Sequence, residues 1–120
     1  MIRDDMVYLQ HILEAALAIE EYLQGIDYDH FMSNRMVQDA VIRRIEVIGE
    51  ATRNLSLDIK QRYSDVPWQR IAGMRNKLIY GYFGVDMDAV WGTATRDVAS
   101  LKVRIEQIVQ QEKSSDQGER

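Results

Sequence analysis

Met87-Asp88-Ala89-Val90-Trp91-Gly92-Thr93-Ala94-Thr95-Arg96-Asp97-Val98-Ala99-Ser100-Leu101-Lys102-Val103-Arg104-Ile105-Glu106-Gln107-Ile108 is the stretch whose reading decides the fold. Its apolar positions 87, 91, 94, 98, 101, 105 and 108 step alternately by four and three. Steps of this kind return to one side of an α-helix, and a seam sustained this long needs partner helices to cover it. Asp86 ahead of it, with Asp88 in the first turn, reads as a cap favoured by the helix dipole.

Upstream, the same spacing recurs. Met6, Leu9, Leu13, Ala16 and Leu17 predict a helix from Asp4 to Leu23, with Gly25 as its stop. Asp27 to Ser33 reads as a loop. A second helix is predicted from Ser33 or Asn34 to Asn54, because Val37, Val41, Ile45, Ile48, Thr52 and Leu55 fall within roughly 80° of one another at 100° per residue. Asp39, Arg43, Glu46 and Glu50 make a narrow polar line on its far side, either solvated or part of a groove. Ser56 caps a short helix from Leu57 to Tyr63. Asp65-Val66-Pro67-Trp68 opens another, which is expected to continue through Ile71, Arg75 and Leu78 and to end near Gly81 and Gly84. The predicted fold class is all-α: an antiparallel four-helix bundle with one extra short helix. Residues 1–112 form one domain, and the polar stretch from Glu112 onward leads into a disordered tail over 113–120.

Composition agrees with that reading. A single proline and seven glycines among 120 residues are too few turn-formers for an all-β chain of this size. With no cysteine, disulfides and thiolate metal sites are excluded. No leader-like segment or membrane-length apolar run is present, so a cytoplasmic protein is expected. The net charge of −4 argues against general nucleic-acid binding. Its distribution does not: residues 35–77 hold nine Lys/Arg against five Asp/Glu, while the flanks hold six against fourteen. One face can then attract phosphate while the whole molecule stays acidic.

The chemistry concentrates in Gly73-Met74-Arg75-Asn76-Lys77-Leu78-Ile79-Tyr80-Gly81-Tyr82-Phe83. On a continuous helix Arg75 falls among Trp68, Ile71, Leu78, Ile79 and Tyr82, inside the apolar face. A guanidinium there needs an anion: a carboxylate, with Glu46 or Glu50 as candidates, or a phosphate gripped by its planar fork. Tyr80 and Tyr82 flank a glycine, with Tyr63 and Phe83 nearby, and are either packing residues or platforms for unstacked RNA bases. His11 and His30 show no metal or triad spacing and read as surface or packing residues. No glycine-rich phosphate loop, zinc-ligand set or nucleophile elbow occurs, so no cofactor and no metal are expected.

Ile48-Gly49-Glu50-Ala51, then Trp68-Gln69-Arg70-Ile71-Ala72-Gly73-Met74-Arg75-Asn76, then Tyr82-Phe83-Gly84-Val85-Asp86 occur in that order. The series resembles HepT-like proteins of the HEPN superfamily over about residues 4 to 112. The resemblance implies a HEPN helical bundle that dimerises and acts on RNA as a metal-independent endoribonuclease, the toxin of a HepT/MNT toxin–antitoxin module. It places the family's R-x-x-x-x-H-x-Y motif at Arg75, with Asn76 beside the arginine, Tyr80 at the histidine position and Tyr82 at the last tyrosine. A phenol with pKa near 10 is a poor proton shuttle at neutral pH, whereas imidazole is a good one. The resemblance therefore allows either a weakened enzyme or a catalytically inactive protein that binds RNA or its partner. That partner is implied to be an MNT-type nucleotidyltransferase antitoxin, which in the family attaches AMP to the tyrosine at the Tyr82 position.

Overall fold

The computed structural model describes residues 3–78 and 84–118. Helix α1 (Arg3–Tyr22) ends ahead of Gly25, whose φ of 74° lies in the left-handed region open to glycine. The next segment was expected as a loop and is instead a helical turn, α2 (Tyr28–Met32). Its cause is local and tertiary together. The Asp27 carboxylate accepts the His30 backbone N–H at 2.9 Å, and Phe31 is fully buried, its ring centroid 5.2 Å from that of Trp91. The buried Gln38 amide closes the other end by donating to the Phe31 and Met32 carbonyls.

Helix α3 (Arg35–Arg53) lies where the spacing puts it. Asn34 accepts from the Val37 N–H at 3.1 Å, and the Asn54 amide donates to the Glu50 carbonyl at 2.9 Å. Val41, Ile45, Ile48 and Thr52 are fully buried along its inner stripe. Helix α4 (Leu57–Arg62) starts at Ser56, whose hydroxyl accepts from the Ile59 N–H while donating to Asp5 at 2.6 Å. Asp5 also accepts the Ser56 N–H at 2.8 Å, so this nearly buried carboxylate ties the start of α1 to the end of α3.

The helix expected from Pro67 to Gly81 is shorter and interrupted. Helix α5 (Trp68–Ala72) stops at Gly73, and a 3₁₀ turn (Met74–Leu78) follows, with the Asn76 N–H donating to the Gly73 carbonyl at 3.0 Å. Glycine is a poor helix interior residue, so α5 ends there, and Met74 and Leu78 are both buried in the turn that follows.

The last helix begins at Asp86, which accepts the Ala89 N–H at 3.1 Å. It runs as α6 (Met87–Gly92), a π-helical segment (Thr93–Asp97) and α7 (Val98–Gly118), with right-handed backbone held through both junctions. The seam is inward as expected: Ala94, Val98, Leu101, Ile105 and Ile108 are buried, and Met87 and Trp91 pack partly buried against the core. The helix does not yield to a tail at Glu112. Glu112 is buried, accepting from Arg62 Nη1 at 2.6 Å and from the Tyr63 hydroxyl at 2.5 Å, and α7 continues past Lys113 to Gly118.

The architecture is thus an all-α HEPN-type bundle. Three long helices run antiparallel to their neighbours, with α1 packed on both α3 and α7. Asp5 reaching Ser56 and Lys102 reaching Glu20 mark the two pairings. The fourth position is taken by α5 and its 3₁₀ turn, which lie against α3. Two short helices, α2 and α4, complete the bundle where one was expected. No helix among the described residues is long and apolar enough to cross a membrane.

Candidate functional site

Gly49 sits on the face of α3 that meets α5. A Cβ there would stand 3.1 Å from the Ala72 carbonyl oxygen, tighter than ordinary contact. Glycine lets the end of α5 approach α3 this closely without crowding. The approach sets the 3₁₀ turn beside the outer, polar line of α3, one turn from Glu46.

There Arg75 forms an ion pair with Glu46, its Nε 3.0 Å from Oε2. Of the two carboxylates foreseen, Glu46 is the one used. Glu50 pairs instead with Arg53 at 3.2 Å. Arg75 is not inside the apolar face: its side chain is 49% exposed, and Asn76 is exposed too. The break at Gly73 explains the difference, since Arg75 no longer continues the wheel of Trp68 and Ile71, and Met74 and Leu78 are the buried residues of the turn. A guanidinium carries five N–H donors, more than one carboxylate can engage. Tyr80 and Tyr82 lie outside the described residues. Tyr63 follows the packing reading: it is buried, its ring lies beneath the Arg104 guanidinium at 5.5 Å, and its hydroxyl is held by Glu112. Burial, then the hydrogen bond to Glu112, pushes the phenol up to about 12.

The polar line of α3 is a groove wall. Arg43, Glu46, Glu50 and Asn54 line one side of a groove of about 170 Å³, and Tyr8 and His11 of α1 line the other. His11 and Tyr8 meet edge to face with centroids 6.1 Å apart. Reading the sequence helix by helix missed this meeting. The signal that could have found it is the i, i+3 placement of Tyr8 and His11 on the flank of α1. The other histidine is far from this role: His30 Nδ1 pairs with Asp27 at 2.6 Å beside α2. A larger groove of about 300 Å³ lies between α5 and α7, lined by Arg70, Ile71, Met74, Asp97 and Leu101 with the Asp65–Arg104 ion pair at its rim.

A family model described as ribonuclease HepT-like matches residues 12–108. The chain belongs to the HepT-like ribonuclease family. It is 42% identical over 108 residues to a "probable ribonuclease HepT" of Thermococcus cleftensis, covering 90% of this chain and 98% of that protein. It is 39% identical over 106 residues to a "putative RNase" of Caldanaerobacter subterraneus, covering 88% and 95%. A "gamma-glutamylcyclotransferase and putative RNase" of Methanocaldococcus jannaschii is 43% identical over 111 residues, 92% of this chain but 50% of that longer protein. No solved structure gives a significant match. Arg75 and Glu46 lie within the matched span of the HepT-like model, on the surface formed by α3 and the 3₁₀ turn.

Proposed function

We propose that this HepT-like chain is the ribonuclease toxin of a toxin–antitoxin module: a homodimeric, metal-independent endoribonuclease of the cytoplasm. Its regulator is an MNT-type nucleotidyltransferase that silences it by attaching AMP to Tyr82. The observation that carries the reading is Arg75. It stands half-exposed on a tight turn, paired with one carboxylate among the described residues, and its planar fork suits a phosphodiester. Asn76, exposed on the same turn, would add a hydrogen bond to the same phosphate. AMP on Tyr82 would bring negative charge and bulk to the motif, repelling and occluding RNA.

Tyr80 at the histidine position lowers the activity. Losing general acid–base help costs about 10² to 10⁴ in rate. The test is cleavage of single-stranded RNA in chelator by the parent, Arg75→Ala and Tyr80→His. Arg75→Ala should abolish cleavage, and Tyr80→His should raise it about 100-fold or more. Equal rates for all three would overturn the reading. Tyr80 also favours a second one: a catalytically inactive HEPN protein that binds RNA or its nucleotidyltransferase. In that case the parent binds RNA without cutting it, and Tyr82 still takes AMP from the partner.

A further inference from the structure

The geometry points to His11 as a catalytic residue of this chain, acting in the α1–α3 groove as the acid that protonates the leaving oxygen of RNA. The inference rests on the ribonuclease reading above and names the group that completes it. Cleavage without a metal needs a phosphate clamp, a base and an acid near one phosphodiester. Arg75 is the clamp, and its Nε is 3.0 Å from Glu46. Glu46 lines the same groove as His11 and is paired with Arg75, so this carboxylate links the clamp to the groove that holds the imidazole. Among the described residues the only other histidine is His30, which is engaged with Asp27.

The groove suits the substrate in size. Its volume of about 170 Å³ would hold roughly six waters at ~30 Å³ each, room for a phosphate and part of a sugar. Arg43 lines it beside Glu46 and Glu50, and those two carboxylates are paired with Arg75 and Arg53. Tyr8, edge to face with His11, holds the imidazole plane and offers a ring edge to a base.

The step balances as an internal transfer. The 2′-hydroxyl gives its proton to the Glu46 carboxylate, and its oxygen forms a bond to the adjacent phosphorus. Arg75 carries the charge that gathers on the phosphoryl oxygens. The bond from phosphorus to the 5′-oxygen breaks, and that oxygen takes the proton of His11. The products are a 2′,3′-cyclic phosphate and a 5′-hydroxyl, and no oxidant, reductant or metal enters. Histidine is suited to the second role because imidazole exchanges protons near neutral pH.

The test compares parent, His11→Ala, His11→Gln, Arg75→Ala and His30→Ala on single-stranded RNA in chelator, with product ends mapped and folding followed by thermal melting. Both His11 variants should lose about 100-fold or more in kcat with KM little changed, while His30→Ala stays within a few fold of the parent. The second readout needs no turnover: the imidazole NMR signals of the parent titrated with an oligodeoxyribonucleotide. The His11 signals should move and those of His30 should stay. If the parent cleaves RNA, Arg75→Ala is dead and the His11 variants remain active, this inference is overturned while the ribonuclease reading stands. A parent that cleaves no RNA overturns both. His11 signals unmoved by the oligonucleotide overturn the groove as the phosphodiester site.

Discussion

Removing one oxygen, in Tyr63→Phe, should measure how firmly α7 is pinned to the bundle. The Tyr63 hydroxyl donates to Glu112 at 2.5 Å, and both residues are almost fully buried, 4% and 2% exposed. A hydrogen bond to an ionised group contributes about 1.5–3 kcal/mol. Glu112 keeps its bond from Arg62 at 2.6 Å, which moderates the loss. The cost should be about 2 kcal/mol. An unfolding entropy near 2.1 cal/mol/K per residue gives roughly 250 cal/mol/K for this chain, so Tm should fall by about 8 °C. Far-UV circular dichroism at neutral pH and fixed protein concentration would read it. A double-mutant cycle with Glu112→Gln should be non-additive, because the two changes remove one interaction. A drop of less than ~2 °C, well below the ~8 °C expected, or strict additivity, would refute the argument that this bond anchors the helix.

Tyr63 titrates at about 12 when folded and near 10 when unfolded, so the fold holds the proton more tightly. Stability should be intact below pH ~10, fall as pH rises towards ~12, and fall less steeply in Tyr63→Phe. Gly49→Ala gains roughly 1 kcal/mol of helix propensity but loses about 1–3 kcal/mol to crowding against the Ala72 carbonyl. A net loss near 1 kcal/mol is expected in denaturant titration, and RNA cleavage should drop with it as Arg75 shifts from Glu46. Light scattering at tens of micromolar should give twice the 14.0 kDa protomer mass, and a monomer there would remove the dimer from the proposal.

The long helices were readable because their spacing is redundant: the seam of the last helix and the inner stripe of α3 each repeat over many turns. Caps were readable at Asn34, Ser56 and Asp86, where a short polar side chain precedes the apolar pattern. What misled was tertiary. Asp27 is as good a cap signal as the others, yet α2 exists chiefly because Phe31 has a place to go against Trp91. The wheel that put Arg75 inside assumed one unbroken helix, and Gly73 invalidated it. Glu112 looked like the start of a solvated tail because no sequence pattern announces that Arg62 and Tyr63, some fifty positions away, will meet it. The Arg75–Glu46 pair was one of the two pairings the sequence offered, although the apolar setting that called for an anion is not where Arg75 stands. His11 was passed over because its partners lie on another helix.

The π-helical segment Thr93–Asp97 gives the last helix a slack link in its length. Such a segment holds one residue more than an α-helical turn would. Thr95, Arg96 and Asp97 are exposed there, so losing one of them costs no core contact. A lineage could therefore shed a residue at this point and relax to plain α-helix, with Val98 to Ile108 still facing the core. The same deletion after Val98 would turn every later seam residue by about 100° and expose the apolar face. Length variation among natural relatives of this helix should accordingly gather at the link and be absent beyond it.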